Sequence, residues 1–152
     1  MKRIVALVST VAAVGIVATS GSATTAKRSG ALHVTKECSE YFGGIGEFCT
    51  ITSSNIAVIK PGMRVFYFAS PGPAGLDSDI ALSSGQGGAA VGHVVLDFAT
   101  NQGRVTFSAG TGTFRGFHAD VAVSVDASGV WHWDGTYSFT RGGGGGDDDG
   151  DD

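Results

Sequence analysis

Between Gly103 and Phe139, large apolar and small polar residues alternate, interrupted only by glycine corners. That period of two fits successive antiparallel strands and excludes an amphipathic helix. Inside the stretch, Asp126-Ala127-Ser128-Gly129 is a turn signal, because Gly129 tolerates the left-handed conformation that closes a three-residue hairpin loop with a bulge. The register follows, since a slip of one residue would send every side chain to the opposite face. Pairing Asp126 with Val130 sets Val125 opposite Trp131, Val123 opposite Trp133, Val121 opposite Gly135, Ala119 opposite Tyr137 and Phe117 opposite Phe139, so one face is wholly apolar or glycine. His118, Asp120, Ser124, His132, Asp134, Thr136 and Ser138 fall on the other. The alternative pairing of Val125 with Val130 mixes the faces. A two-stranded ribbon carrying that many rings on one face needs further strands to cover them.

The 152 residues suffice for one domain with a core, and 25 glycines with only three prolines indicate many tight corners. The net charge of -4 leaves no basic stripe for nucleic acid. Met1-Lys2-Arg3 followed by the apolar run from Ile4 to Ala18 has the layout of a secretory signal over residues 1–26, with cleavage expected near 23–26. The run falls short of the roughly 20 residues of a membrane span. Export to an extracellular, oxidising compartment favours a disulfide between Cys38 and Cys49, the two cysteines of the chain. A loop this short stabilises the fold by about 2 to 3 kcal/mol in the chain-entropy picture.

The remaining chain divides into an N-terminal segment with the disulfide loop (27–48), a strand-rich domain (49–141) and a Gly/Asp tail (142–152) expected to stay disordered. Strands are predicted over Cys49 to Ile59, broken near Ser53-Ser54-Asn55, over Met63 to Ala69, over Asp79 to Ser83 and over Ala89 to Phe98. With the opening stretch the count comes to about seven or eight, which leaves a sandwich and a closed barrel open.

The corner Ala109-Gly110-Thr111-Gly112-Thr113-Phe114-Arg115-Gly116, preceded by Val105-Thr106-Phe107, resembles the glycine-rich corner of plant allene oxide cyclases and of dirigent proteins. The following strand and the aromatic strand from Trp131 to Phe139 are similar to the closing hairpin of that superfamily. The resemblance implies an all-β, antiparallel closed barrel of about eight strands with an apolar lumen, trimeric in the plant relatives. It also implies a cofactor-free isomerase or cyclase chemistry, in which an apolar cavity folds an unsaturated substrate and one polar group handles charge or a proton.

The carboxylate that serves this role in the plant cyclases has no counterpart, because no glutamate lies between Thr50 and Ala69. Asp77 and Asp79 are the nearest acidic candidates, with an Asx turn as their ordinary role. Arg64, Tyr67 and Tyr137 are possible analogues of dirigent cavity residues, without a matching motif. A metal site from His118, Asp120, His132 and Asp134 is disfavoured, because the register leaves the two histidines about six residues, or roughly 20 Å, apart.

Phe117, Val121, Val123, Trp131, Trp133, Tyr137 and Phe139 are therefore the expected lumen residues. In a barrel, core and ligand cavity are the same space. The expected function is a secreted barrel that binds a small apolar molecule and assists its cyclisation or coupling. The rival is a non-enzymatic exported or cell-surface interaction protein with a packed barrel. A lumen above about 300 Å³ with a carboxylate or tyrosine hydroxyl favours the first, and a filled one the second.

Overall fold

The computed structural model describes residues 28–140. The expected signal segment, the acidic tail and residue 141 lie outside the described residues. Eight strands run in chain order: β1 (Ser29–Glu37), β2 (Phe48–Ser54), β3 (Arg64–Tyr67), β4 (Gly75–Ser83), β5 (Ala89–Asp97), β6 (Gln102–Gly110), β7 (Phe117–Val125) and β8 (Trp131–Phe139). Each pairs antiparallel with its neighbour in sequence and β1 closes on β8, making an up-and-down barrel. Closure leaves no unpaired edge to template aggregation.

The β7–β8 ribbon has the register that its alternation requires. Val125 pairs with Trp131, Val123 with Trp133, Val121 with Gly135, Ala119 with Tyr137 and Phe117 with Phe139. Gly129 takes φ 81° and its N–H donates to the carbonyl of Asp126 at 3.0 Å, closing the three-residue loop. Phe117, Ala119, Val121, Val123, Trp133 and Tyr137 are buried inside the barrel.

The barrel begins earlier than the sequence reading drew it. Its first strand, β1, comes from the 27–48 segment that the reading set apart from the barrel domain at 49–141. Leu32, Val34 and Lys36 of β1 point inward at every second residue, and Val34 and Lys36 pair with Trp133 and Trp131. β2 stops at Ser54, where the Ser53-Ser54-Asn55 break was expected, and Ile56 and Ile59 continue as loop residues buried against the core. β4 starts at Gly75, four residues before the expected strand, so Asp77 and Asp79 lie within a strand and not in a turn.

An up-and-down barrel has two rims. One carries the β1–β2 disulfide loop, the 68–74 and 98–101 connections and the Asp126–Gly129 turn. The other carries the 55–63 and 84–88 connections and the glycine corner between β6 and β7. At that corner, Gly112 takes φ 57° and opens a single 3-10 turn, Gly112–Phe114, which drops the fully buried Phe114 into the barrel. Gly110 is needed for closeness instead: a Cβ there would lie 2.6 Å from the Cβ of Phe114. The corner thus plugs its rim. Phe114 meets Phe117 at 5.5 Å between ring centroids, and Phe117 meets Phe107 at 5.8 Å and Phe139 at 5.2 Å.

Candidate functional site

The disulfide rim is filled differently. Cys38 and Cys49 are bonded, which staples the end of β1 to the start of β2. Within the loop they enclose, Glu47 accepts hydrogen bonds from the N–H groups of Phe42 (2.6 Å) and Gly44 (2.7 Å), and the Tyr41 N–H donates to the Cys38 carbonyl at 3.2 Å. This local scaffold lays Tyr41 over the barrel mouth with its ring 4.5 Å from that of Tyr67.

Beneath Tyr41 lies a cavity of about 230 Å³. Leu76, Ile80, Val94, Leu96, Val105 and Val123 form its apolar wall, and Trp131 and Trp133 close one side. Its polar groups are Lys36, Tyr41 and Tyr67, beside the disulfide. The volume is below the 300 Å³ that marks ordinary ligand pockets, yet it carries the expected tyrosine hydroxyl. The space is many times what a single water needs.

Lys36 is the group that sequence reasoning missed. It is 4% exposed, and the alternation of β1 forces it inward because Leu32 and Val34 must be. Its Nζ donates to the Tyr67 hydroxyl at 2.9 Å and lies 3.4 Å from Cys38 Sγ. Three rings surround it, with Trp131, Trp133 and Tyr67 centroids at 5.3, 5.6 and 5.7 Å. Among the described residues no carboxylate forms an ion pair with it. Ring quadrupoles stabilise an ammonium by only about 0.5–2 kcal/mol, less than its desolvation costs. Burial therefore brings the Lys36 pKa down from 10.5 to about 7. The same burial raises that of Tyr67 well above an ordinary phenol, so its hydroxyl stays protonated and donates to Cys49 Sγ at 3.3 Å. Burial also raises that of Tyr41, with a further push from the Glu47 charge. The Tyr41 hydroxyl and the Trp133 indole N–H are buried, with no hydrogen-bond partner among the described residues.

The residues singled out from the sequence separate into three places. Val123, Trp131, Trp133 and Tyr67 line the cavity. Phe117, Val121, Tyr137 and Phe139 share the inner face but belong to the packed interior away from it, where Phe117 and Tyr137 stack at 6.5 Å. Asp77, Asp79 and Arg64 stand on the outer wall. His93 binds Asp77 through Nε2 and Asp79 through Nδ1, both at 2.9 Å, and these contacts raise its pKa, the Asp79 hydrogen bond most. Arg64 lies over the Phe48 ring, 4.4 Å from its centroid. The strand alternation that buries Leu76, Ser78 and Ile80 turns both aspartates away from the lumen. The outward polar face of β7–β8 is likewise engaged, Arg104 in an ion pair with Asp120, and His33 and His132 in hydrogen bonds with Asp134 at 2.7 Å and Asp126 at 2.9 Å.

Fold and site together define a closed, disulfide-stapled β-barrel with an amine-bearing apolar cavity under one rim. Comparison with family models, with curated proteins and with solved structures finds no match. Among the described residues no helix is long and apolar enough to cross a membrane.

Proposed function

We propose that the protein is an exported binder of a small apolar molecule, held in the lumen beneath the disulfide rim. The observation that carries this reading is the cavity itself: about 230 Å³ bounded by aliphatic and indole surface, with a lysine amine and two tyrosine hydroxyls at one side. Apolar walls with a few polar groups to orient the ligand are the usual anatomy of small-molecule sites. Assistance to cyclisation or coupling, the chemistry of the allene oxide cyclase-like and dirigent-like barrels, would fall to Lys36 and Tyr67. Among the described residues that line the cavity none is a carboxylate.

The Cys38–Cys49 disulfide and the signal-like first 26 residues support an extracellular location. The rival, an interaction protein with a packed barrel, draws on the filled half of the lumen and on the exposed Phe42, Ile45 and Phe68.

Native mass spectrometry of the protein from culture supernatant, followed by titration with toluene, phenol and cyclohexanone read by tryptophan fluorescence, separates the two. A co-purifying molecule or saturable binding that Val123→Phe abolishes is expected. Absence of both would overturn the binding reading in favour of the packed barrel.

A further inference from the structure

Lys36 is the most unusual residue of the interior, and the proposed function uses it only as a polar contact. Its surroundings are those of a nucleophile. The amine sits in apolar surface, one face against three rings, with a hydroxyl at 2.9 Å from Nζ and a cavity beside it. A lysine desolvated in this way, and left without a carboxylate, is the arrangement that activates amines toward carbonyl carbon.

We infer that Lys36 forms a reversible imine with a small apolar aldehyde or ketone bound in the cavity. This rests on the lumen being a ligand site, and specifies the ligand class. The neutral Nζ adds its lone pair to the carbonyl carbon, and the carbonyl π electrons move to oxygen, which takes up the proton that nitrogen releases. The resulting carbinolamine expels water as the C=N bond forms, so one water leaves for each imine made and no oxidant or cofactor enters. The Tyr67 hydroxyl, in contact with Nζ, is the proton carrier within reach. The Trp133 N–H and the Tyr41 hydroxyl, buried cavity-lining donors with no partner among the described residues, are available to the oxygen as it becomes C–OH.

The protonation balance agrees with this geometry. With its pKa at about 7, a substantial fraction of Lys36 is neutral at pH 7, against roughly one in 2,500 for an ordinary lysine. The titratable groups that face it are Tyr67 from β3 and Tyr41 from the disulfide loop, with Glu47 acting on Tyr41 from behind. A carboxylate ligand is the less fitting occupant, because it would need the ammonium form and bury an ion pair.

The test uses benzaldehyde, a small apolar aldehyde with no charge to bury, with sodium cyanoborohydride to reduce any imine. The expected product is one adduct per chain, heavier by the aldehyde less one oxygen, mapped to Lys36. It should form at least about tenfold faster than any adduct at the exposed Lys60. Lys36→Met should lose the adduct while keeping the cooperative unfolding of the native chain and its labelling at Lys60, and benzoate should bind the native chain more weakly than benzaldehyde.

Equal labelling of Lys36 and Lys60, or tighter binding of benzoate, with toluene still bound would overturn the imine and leave the lumen reading standing. Failure of toluene, phenol and benzaldehyde alike to bind would overturn both.

Discussion

Under the glycine corner, Phe107, Phe114, Phe117, Tyr137 and Phe139 fill the barrel ring against ring, whereas under the disulfide rim Lys36, Tyr41 and Tyr67 border a cavity of about 230 Å³. The same eight strands, with the same inward alternation, build both ends. The difference lies in what each rim delivers. The corner between β6 and β7 buries a phenylalanine against Phe117, while the β1–β2 loop, held by its disulfide and by Glu47, sets Tyr41 against Tyr67 beside open space. One end is thereby packed ring against ring, while the other keeps a lysine and two tyrosines beside open space.

The sharpest test of this contrast is the pH dependence of stability. A lysine whose folded pKa lies below its unfolded value binds fewer protons when folded, so stability rises with pH between the two values. For Lys36 that window runs from about 7 to 10.5, and the rise amounts to about 5 kcal/mol at 1.36 kcal/mol per pH unit. Urea unfolding across this range should show the increase, and Lys36→Met should flatten it and be the more stable protein at pH 6. A flat profile in the native chain would place Lys36 in contact with water and dissolve the distinction between the ends.

Large-to-small substitutions probe the same contrast through packing. Phe117→Ala at the filled end should destabilise by about 3 to 5 kcal/mol, because it opens a cavity in close-packed surroundings. Leu96→Ala removes a half-buried side chain at the cavity edge, and should cost about 2 kcal/mol, the low end for such a change. Chemical denaturation measures both, and equal losses would mean that the two ends are packed alike.

Reducing the Cys38–Cys49 disulfide should cost about 2 to 3 kcal/mol in thermal unfolding. Because the disulfide loop holds Tyr41 over the cavity, reduction should also release the Tyr41–Tyr67 ring contact, seen as a change in near-ultraviolet circular dichroism. Reduction that leaves the spectrum unchanged would show that the rim does not depend on its staple.

The hairpin could be read from the sequence because its information is local: a turn that only Gly129 closes, and a period-two pattern strong enough to reject the slipped register. β1 escaped the same reading because one of its three deep inward positions is Lys36, and a charged residue among Leu32 and Val34 hides the alternation. The signal was present in Leu32-His33-Val34-Thr35-Lys36-Glu37, whose spacing matches a strand once the lysine is allowed inside. Asp77 and Asp79, the nearest acids to the missing glutamate, show the converse: the strand through Leu76, Ser78 and Ile80 turns both onto the outer wall, where His93 bridges them.

Local pattern by itself determined the all-β class, the partners of each residue in the closing ribbon and the pairing of the two cysteines. Which inward residues would fill the lumen and which would border open space was decided only by tertiary structure. Packed volume and desolvation depend on side chains contributed by strands far apart in sequence. Lys36 is titratable near neutrality because Trp131 and Trp133 from β8 and Tyr67 from β3 exclude water around it, and no stretch of the chain read alone contains that fact.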